Sequence, residues 1–199
     1  MSAHENLENA EHAEHAAHSD KKIALLISVL ALFLALSETL GKSAQTELIS
    51  TNVTVNDTWA FYQARVIRIT ILNTAVTALE AQTLGVTDPA AKAARDKVID
   101  GWKKTAARYD SDPEGKEGRK ELMEKARELE SDRDTLEAKY HHFEVSSAAF
   151  QIGIVLASAA VITSMIVLVW LAGGLGVLGL VFMGMALFFP HVHLFASAH

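Results

Sequence analysis

The sequence predicts an all-α integral membrane protein with three transmembrane helices and a long antiparallel, coiled-coil-like helical stalk inserted between the first and second. Three observations carry this expectation. Residues 23–40 and 145–189 are almost free of charge, while every Lys and Arg except Lys21 and Lys22 lies in residues 42–144. That charged stretch keeps a 4–3 spacing of apolar residues, the repeat of helices that pack side by side. Gly85, Asp88–Pro89 and Asp112–Pro113 then punctuate it into three arms. A globular core would spread its apolar residues periodically, whereas uninterrupted apolar blocks suit lipid.

The chain opens with a His/Glu-rich tail, residues 1–22, reading HENLENAEHAEHAAHSDKK before the first apolar run. Residues 23–41 form the expected first span. A bilayer core takes roughly 20 apolar residues in a helix, and IALLISVLALFLALSETL is just long enough. A basic pair before an apolar core is also the form of a signal peptide. Here the run is long for one and continues into good helix formers, so a retained span is expected.

Residues 42–144 form the extramembrane stalk, with helices expected at about 43–84, 89–109 and 114–144. In the first arm Val55, Trp59, Tyr62, Val66, Ile69 and Val76 share one seam. In the last arm Leu122, Leu129 and Leu136 do the same. Asp88 and Asp112, each followed by proline, read as helix N-caps. At 1.5 Å rise per residue the three arms span roughly 63, 31 and 45 Å. The last arm must lead back to the bilayer, and the distances nearly close only if the middle arm also runs back.

The arms differ in character. The last has one narrow apolar seam among dense charges, which a single neighbour can satisfy. The first also carries Phe61, Ile67, Ile71 and Leu72 off its main seam, and a helix with two apolar faces needs a second neighbour. A homo-oligomer is expected, with broad packing inside one stalk as the alternative.

The second span, residues 145–172, is uncharged, with Gly153 and Ala157 at helical spacing on one face. Gly173–Gly174 is expected to break the chain before a third span at 175–190, which carries Gly176 and Gly179. Small residues on facing helices permit the close approach that lipid-embedded packing relies on. Residues 191–199 form a short C-terminal tail.

Composition excludes several chemistries. There is no cysteine, so thiol nucleophiles, disulfides and Cys-based metal sites are absent. A net charge of −6 with interspersed signs offers no basic patch, so no nucleic-acid partner is expected. No nucleophile–base arrangement or phosphate-cradling loop is visible, and an enzyme is not expected. Membrane lipids are expected partners, together with further copies of the chain or an unknown protein.

Two clusters are candidates for ligand chemistry. No cofactor is predicted outright, but His12, His15 and His18, each with a Glu four residues before, could hold a divalent metal if the tail is helical. The competing reading is a solvated tail. Topology also brings Glu38, His141, His142 and Gln151, with Glu144, His191 and His193, toward one membrane face. An ionisable group at the edge of a span is a functional candidate, although the same residue types are common at headgroup level. Two further function classes follow: an oligomeric channel or transporter lined by small-residue faces, and a metal-binding membrane protein. Charge near the membrane ends of the stalk favours a cytoplasmic insert, while the basic pair before the first span argues the reverse.

The run Asn56-Asp57-Thr58-Trp59-Ala60-Phe61-Tyr62-Gln63-Ala64-Arg65, the His-rich tail, the lysine pair and the apolar C-terminal hairpin together resemble the bacterial family catalogued as domain of unknown function 4337. The family pattern carries Lys where this chain has Arg65, a change that keeps the cation. The resemblance implies a multi-pass protein of the bacterial cytoplasmic (inner) membrane and supplies no reaction.

Overall fold

The computed structural model describes residues 3–85 and 87–190, with side chains from residue 21 onward. Four helices account for nearly all of them: α1 (Ala3–Thr83), α2 (Pro89–Asp110), α3 (Arg119–Thr163) and α4 (Ile166–Phe188). No strand occurs among the described residues. α1, α3 and α4 are each long and apolar enough to cross a membrane. The chain divides into two compact units, Met1–Leu48 with Asp134–His199, and Ile49–Arg133.

The sequence reading separates the tail, first span and first stalk arm; the structure joins them in one helix. Residues 3–83 contain no proline, and their one glycine does not break the helix. A Cβ at Gly41 would stand 3.1 Å from the Cβ of Phe143, so the missing side chain admits α3 at close range. Seven threonines between residues 46 and 83 donate their hydroxyls to the carbonyl four residues back. These side chains satisfy themselves within the helix and leave its ladder intact.

In the first unit α1 and α3 run antiparallel. Phe33 stacks on Phe150 at 5.9 Å between centroids, and the Ser37 hydroxyl donates to the Phe143 carbonyl at 3.1 Å. α4 lies against both. Ile23, Ala157 and Ala172 form one cluster, and Ala44, Phe143 and Ala186 another. Between them the buried Ser146 donates to the Gly179 carbonyl at 2.8 Å.

The turn between α3 and α4 falls at Ser164–Met165, which corrects the expected break at Gly173–Gly174. Both glycines lie within α4. Ser164 takes a left-handed φ of 56°. The reason is length and hydrogen bonding. A span of 175–190 would cover only about 24 Å, whereas the 23 residues of α4 cover about 34 Å, enough for a hydrocarbon core of about 30 Å. A turn at the glycine pair would also strip backbone groups of their partners in the middle of an apolar run.

In the second unit α2 and the start of α3 follow one another along α1, both antiparallel to it. Lys103 bridges Glu80 at 2.8 Å, the Arg65 guanidinium lies 4.7 Å over the Tyr109 ring, and Trp59 Nε1 donates to Glu130 at 3.0 Å. Asp88 caps α2 by accepting from Ala90 N, with Pro89 in the first turn.

Asp112–Pro113 does not start a helix in the same way, which corrects the expected start at residue 114. Asp112 instead closes a tight loop: its carboxylate accepts from Gly115 N, and its carbonyl from Lys116 N at 2.7 Å. Lys116 is left-handed, with φ 53°. α3 begins only at Arg119. Gly118 is required just before it, because a Cβ there would meet Asp112 N at 2.5 Å.

Candidate functional site

The residues that read as an assembly seam separate by burial. Val55, Val76 and Leu122 are buried, while Trp59, Tyr62, Val66, Ile69 and Leu129 are half-buried in the second unit. Leu136, in the first unit, is also half-buried. The aromatic knot is resolved within the seam. Trp59 and Tyr62 meet edge to face at 5.2 Å, and the Trp59 N–H is anchored on Glu130. The seam is thus an intramolecular contact made by α1 with α2 and α3.

The opposite face of α1 has no such cover. Phe61 is 63% exposed, Ile71 61%, Ile67 58%, and Val53 and Ile49 56% and 58%. Leu72, at the edge, is half-buried. Broad packing inside one chain therefore does not account for these side chains. They share their side of the helix with hydroxyls already turned inward, such as Thr70 and Thr74, so the face is less polar than its composition suggests.

Ion pairs hold the inner flank of this arm, while Asp57 is exposed. Arg65 bonds both the Glu117 carboxylate at 2.9 Å and its carbonyl at 2.8 Å. Its side chain is 16% exposed. Asp110 holds Arg119 at 2.6 Å and Lys120 at 3.0 Å. The Lys120 hydrogen bond and the nearby guanidinium of Arg119 hold the Asp110 carboxyl below its ordinary range. Glu121 accepts from the Ser111 hydroxyl and the Asp112 amide, and these bonds lower its pKa. Sequence reasoning missed this latch; the signal was Glu121 three residues beyond Gly118, where an acidic side chain can reach back to a helix start.

The interfacial cluster does not converge on one point. Gln151 donates to Glu38 at 3.0 Å. His141 is half-exposed and faces Glu144 at 3.2 Å. His142, the next residue on the helix, is buried and packs on the Phe182 ring at 6.0 Å. Ser37 and Ser147, hydrogen-bonded to each other at 3.1 Å, are further polar members that the sequence did not single out. Among the described residues no group of three or more His, Asp and Glu is placed to hold a metal ion. The side chains of His12, His15 and His18, and residues His191 and His193, lie outside the described residues.

The small residues of α3 and α4 sit inside the first unit. A Cβ at Gly153 would meet the Ala172 carbonyl and Leu30 at 3.3 Å, one at Gly176 would meet Leu30 at 2.7 Å, and one at Gly179 would meet the Phe150 ring at 2.8 Å. Ala157 is fully buried. These faces are occupied by neighbouring helices of the same chain.

Comparison with known proteins gives one match. The model of a family described as Domain of unknown function (DUF4337) covers residues 19–189. No curated protein and no solved structure matches.

Proposed function

We propose that this chain, which belongs to the DUF4337 family of unknown function, is a three-span membrane protein that assembles with copies of itself and acts as a non-enzymatic scaffold. Its compartment in this reading is the bacterial cytoplasmic membrane, with lipids around the first unit. Leu25, Leu32, Val155 and Val181 are exposed on that unit, and large apolar patches of this kind mark contact with lipid or protein. The stalk between the first and second spans, antiparallel and coiled-coil-like, is the part that organises partners.

One observation carries the assembly: the uncovered apolar face of α1 bearing Phe61, Ile67 and Ile71. The inward burial of Gly153, Gly176 and Gly179 favours a scaffold over a pore, because the small-residue faces a pore would use already serve packing within one chain.

The test is the mass of the detergent- or nanodisc-solubilised complex. Wild type should be a discrete oligomer. Ile67→Asp should shift it to monomer with unchanged helicity, because the substitution lies on the outer face. Val66→Asp, one residue away, should instead loosen the stalk, since Val66 packs inward. A monomeric wild type, or an Ile67→Asp oligomer of wild-type size, would refute the proposal.

A further inference from the structure

The three helices of the first unit do not turn polar at one level. Ala186, near the end of α4, packs with Ala44 and Phe143. There α4 is still apolar, and Phe188 and Phe189 beyond it are exposed. On α1 and α3 the same level already carries Lys42, Tyr140 and Glu144, with Glu38 one turn deeper. These polar side chains line a cleft of about 240 Å³ between α1 and α3, together with Ser147. A polar notch thus stands beside the last turns of an apolar helix.

Helix direction orders the charges along this notch. Helical side chains lean toward the N-terminus of their own helix, and α1 and α3 are antiparallel. Glu38 and Lys42 therefore lean into the apolar part of the unit, while Tyr140 and Glu144 lean out of it. From the inside outward come the Glu38 carboxylate, the Lys42 ammonium and the Glu144 carboxylate. Gln151 donates to Glu38 at 3.0 Å and occupies the deepest of the three. Among the described residues Lys42 forms no ion pair, and its side chain is exposed. Glu144 Oε2 faces His141 Nδ1 at 3.2 Å, which leaves Oε1 for a second donor. One turn further in on the same faces lie Leu34, half-buried, and Val155, 66% exposed.

We infer that this cleft binds a phospholipid whose headgroup ends in a primary ammonium. The phosphate sits on Lys42, the ammonium on Glu144 and the acyl chains along Leu34 and Val155. A lipid standing in a bilayer presents chains, phosphate and ammonium in that same order. The inference rests on the membrane reading above and is independent of self-assembly. A primary ammonium brings N–H donors to the Glu144 carboxylate and the Tyr140 oxygen, whereas a quaternary ammonium has none. An anionic headgroup without an ammonium would set its charge beside Glu144 with nothing to offset it. The volume agrees: 240 Å³ is roughly eight waters at about 30 Å³ each, the size of a phosphoethanolamine group.

The test titrates the full chain in detergent with phosphatidylethanolamine, phosphatidylcholine and phosphatidylglycerol of matched chains, counting bound lipid by native mass spectrometry. Phosphatidylethanolamine should bind at least about twofold tighter than the other two. Lys42→Ala and Glu144→Gln should each weaken it by about twofold to fivefold, the worth of an exposed ion pair. Lys22→Ala, at the other end of the first span, should leave it unchanged. Equal binding of phosphatidylethanolamine and phosphatidylcholine would overturn the inference, as would a Lys22→Ala effect as large as that of Lys42→Ala. Soluble phosphoethanolamine at the same concentration should not displace the lipid; displacement would overturn the lipid assignment in favour of a soluble ligand. A chain that fails to float with liposomes would remove the membrane reading and this site together, whereas one that floats without lipid preference removes the site alone.

Discussion

Gly179→Ala should destabilise the first unit, and Gly173→Ala, six residues away on the same helix, should stabilise it. A Cβ at position 179 would lie 2.8 Å from two carbons of the Phe150 ring and 3.0 Å from a third. Non-bonded carbons rest at about 3.5–4.0 Å, so α4 or the ring must give by roughly 0.7 Å. The ring has little room, being fully buried and stacked on Phe33. Overpacking of this kind costs about 1–3 kcal/mol. Moving α4 also strains the buried Ser146–Gly179 hydrogen bond, worth about 0.6 kcal/mol between membrane helices. Against these, alanine gains about 1 kcal/mol over glycine in a helix, leaving a net loss of about 1–2 kcal/mol. At Gly173 nothing lies within 4 Å of the added carbon, so the propensity gain stands alone. The two variants should therefore differ by about 2–3 kcal/mol in reversible unfolding in mixed micelles followed by helical circular dichroism. Gly176→Ala should fall between them, since its added carbon meets only the tip of Leu30. Equal stability of Gly179→Ala and Gly173→Ala would refute the packing of α3 on α4 described here.

Two further outcomes test the second unit. Trp59→Phe keeps an aromatic ring, though a smaller one, and loses the bond to Glu130; hydrogen bonds to charged groups are worth about 1.5–3 kcal/mol, and half-burial lowers this to about 1–2 kcal/mol. Amide exchange near residues 55–62 should accelerate accordingly, and unchanged protection would count against the anchor. Acidification should open the loop at residues 111–118. Glu121 and Asp110 both titrate lower in the folded chain, so their stabilisation is fully present above the ordinary values of 4.5 and 3.8 and is lost as pH falls through the lower folded ones. Exchange in the loop, corrected for intrinsic rates, should be flat from pH 5 to 8 and rise below about pH 4. Glu121→Gln should show raised exchange already at pH 6, and a wild-type loop indifferent to pH 3 would defeat the argument.

The helical class and the three apolar helices were legible because charge segregation and 4–3 spacing survive in any context. Asp88–Pro89 was legible because its capping is local. Asp112–Pro113 looks the same in sequence yet makes a loop, because Gly115 and Gly118 leave room for Asp112 to fold back and Glu121 reaches back from α3 to hold it. The turn at Ser164 was hidden for a different reason. Glycine pairs mark turns where water can take over the freed hydrogen bonds, but within an apolar run an unbroken ladder matters more, and Gly173–Gly174 stays helical. Sharing a topological level likewise did not bring His141 and His142 together, since consecutive helical residues point about 100° apart.

The same distinction separates the two faces of α1. Inner-seam residues find their partners within the chain: Trp59 on Glu130, and Arg65 on Glu117 and Tyr109. The outer face finds none there, and Phe61, Ile67 and Ile71 stay more than half exposed. Chance apolar residues on a solvated helix would scatter around it and need no explanation. Ile49, Val53, Phe61, Ile67 and Ile71 instead fall within about 120° of one another around the helix. A partner that covers this side, in the reading proposed above a further copy of the chain, would account for their being apolar.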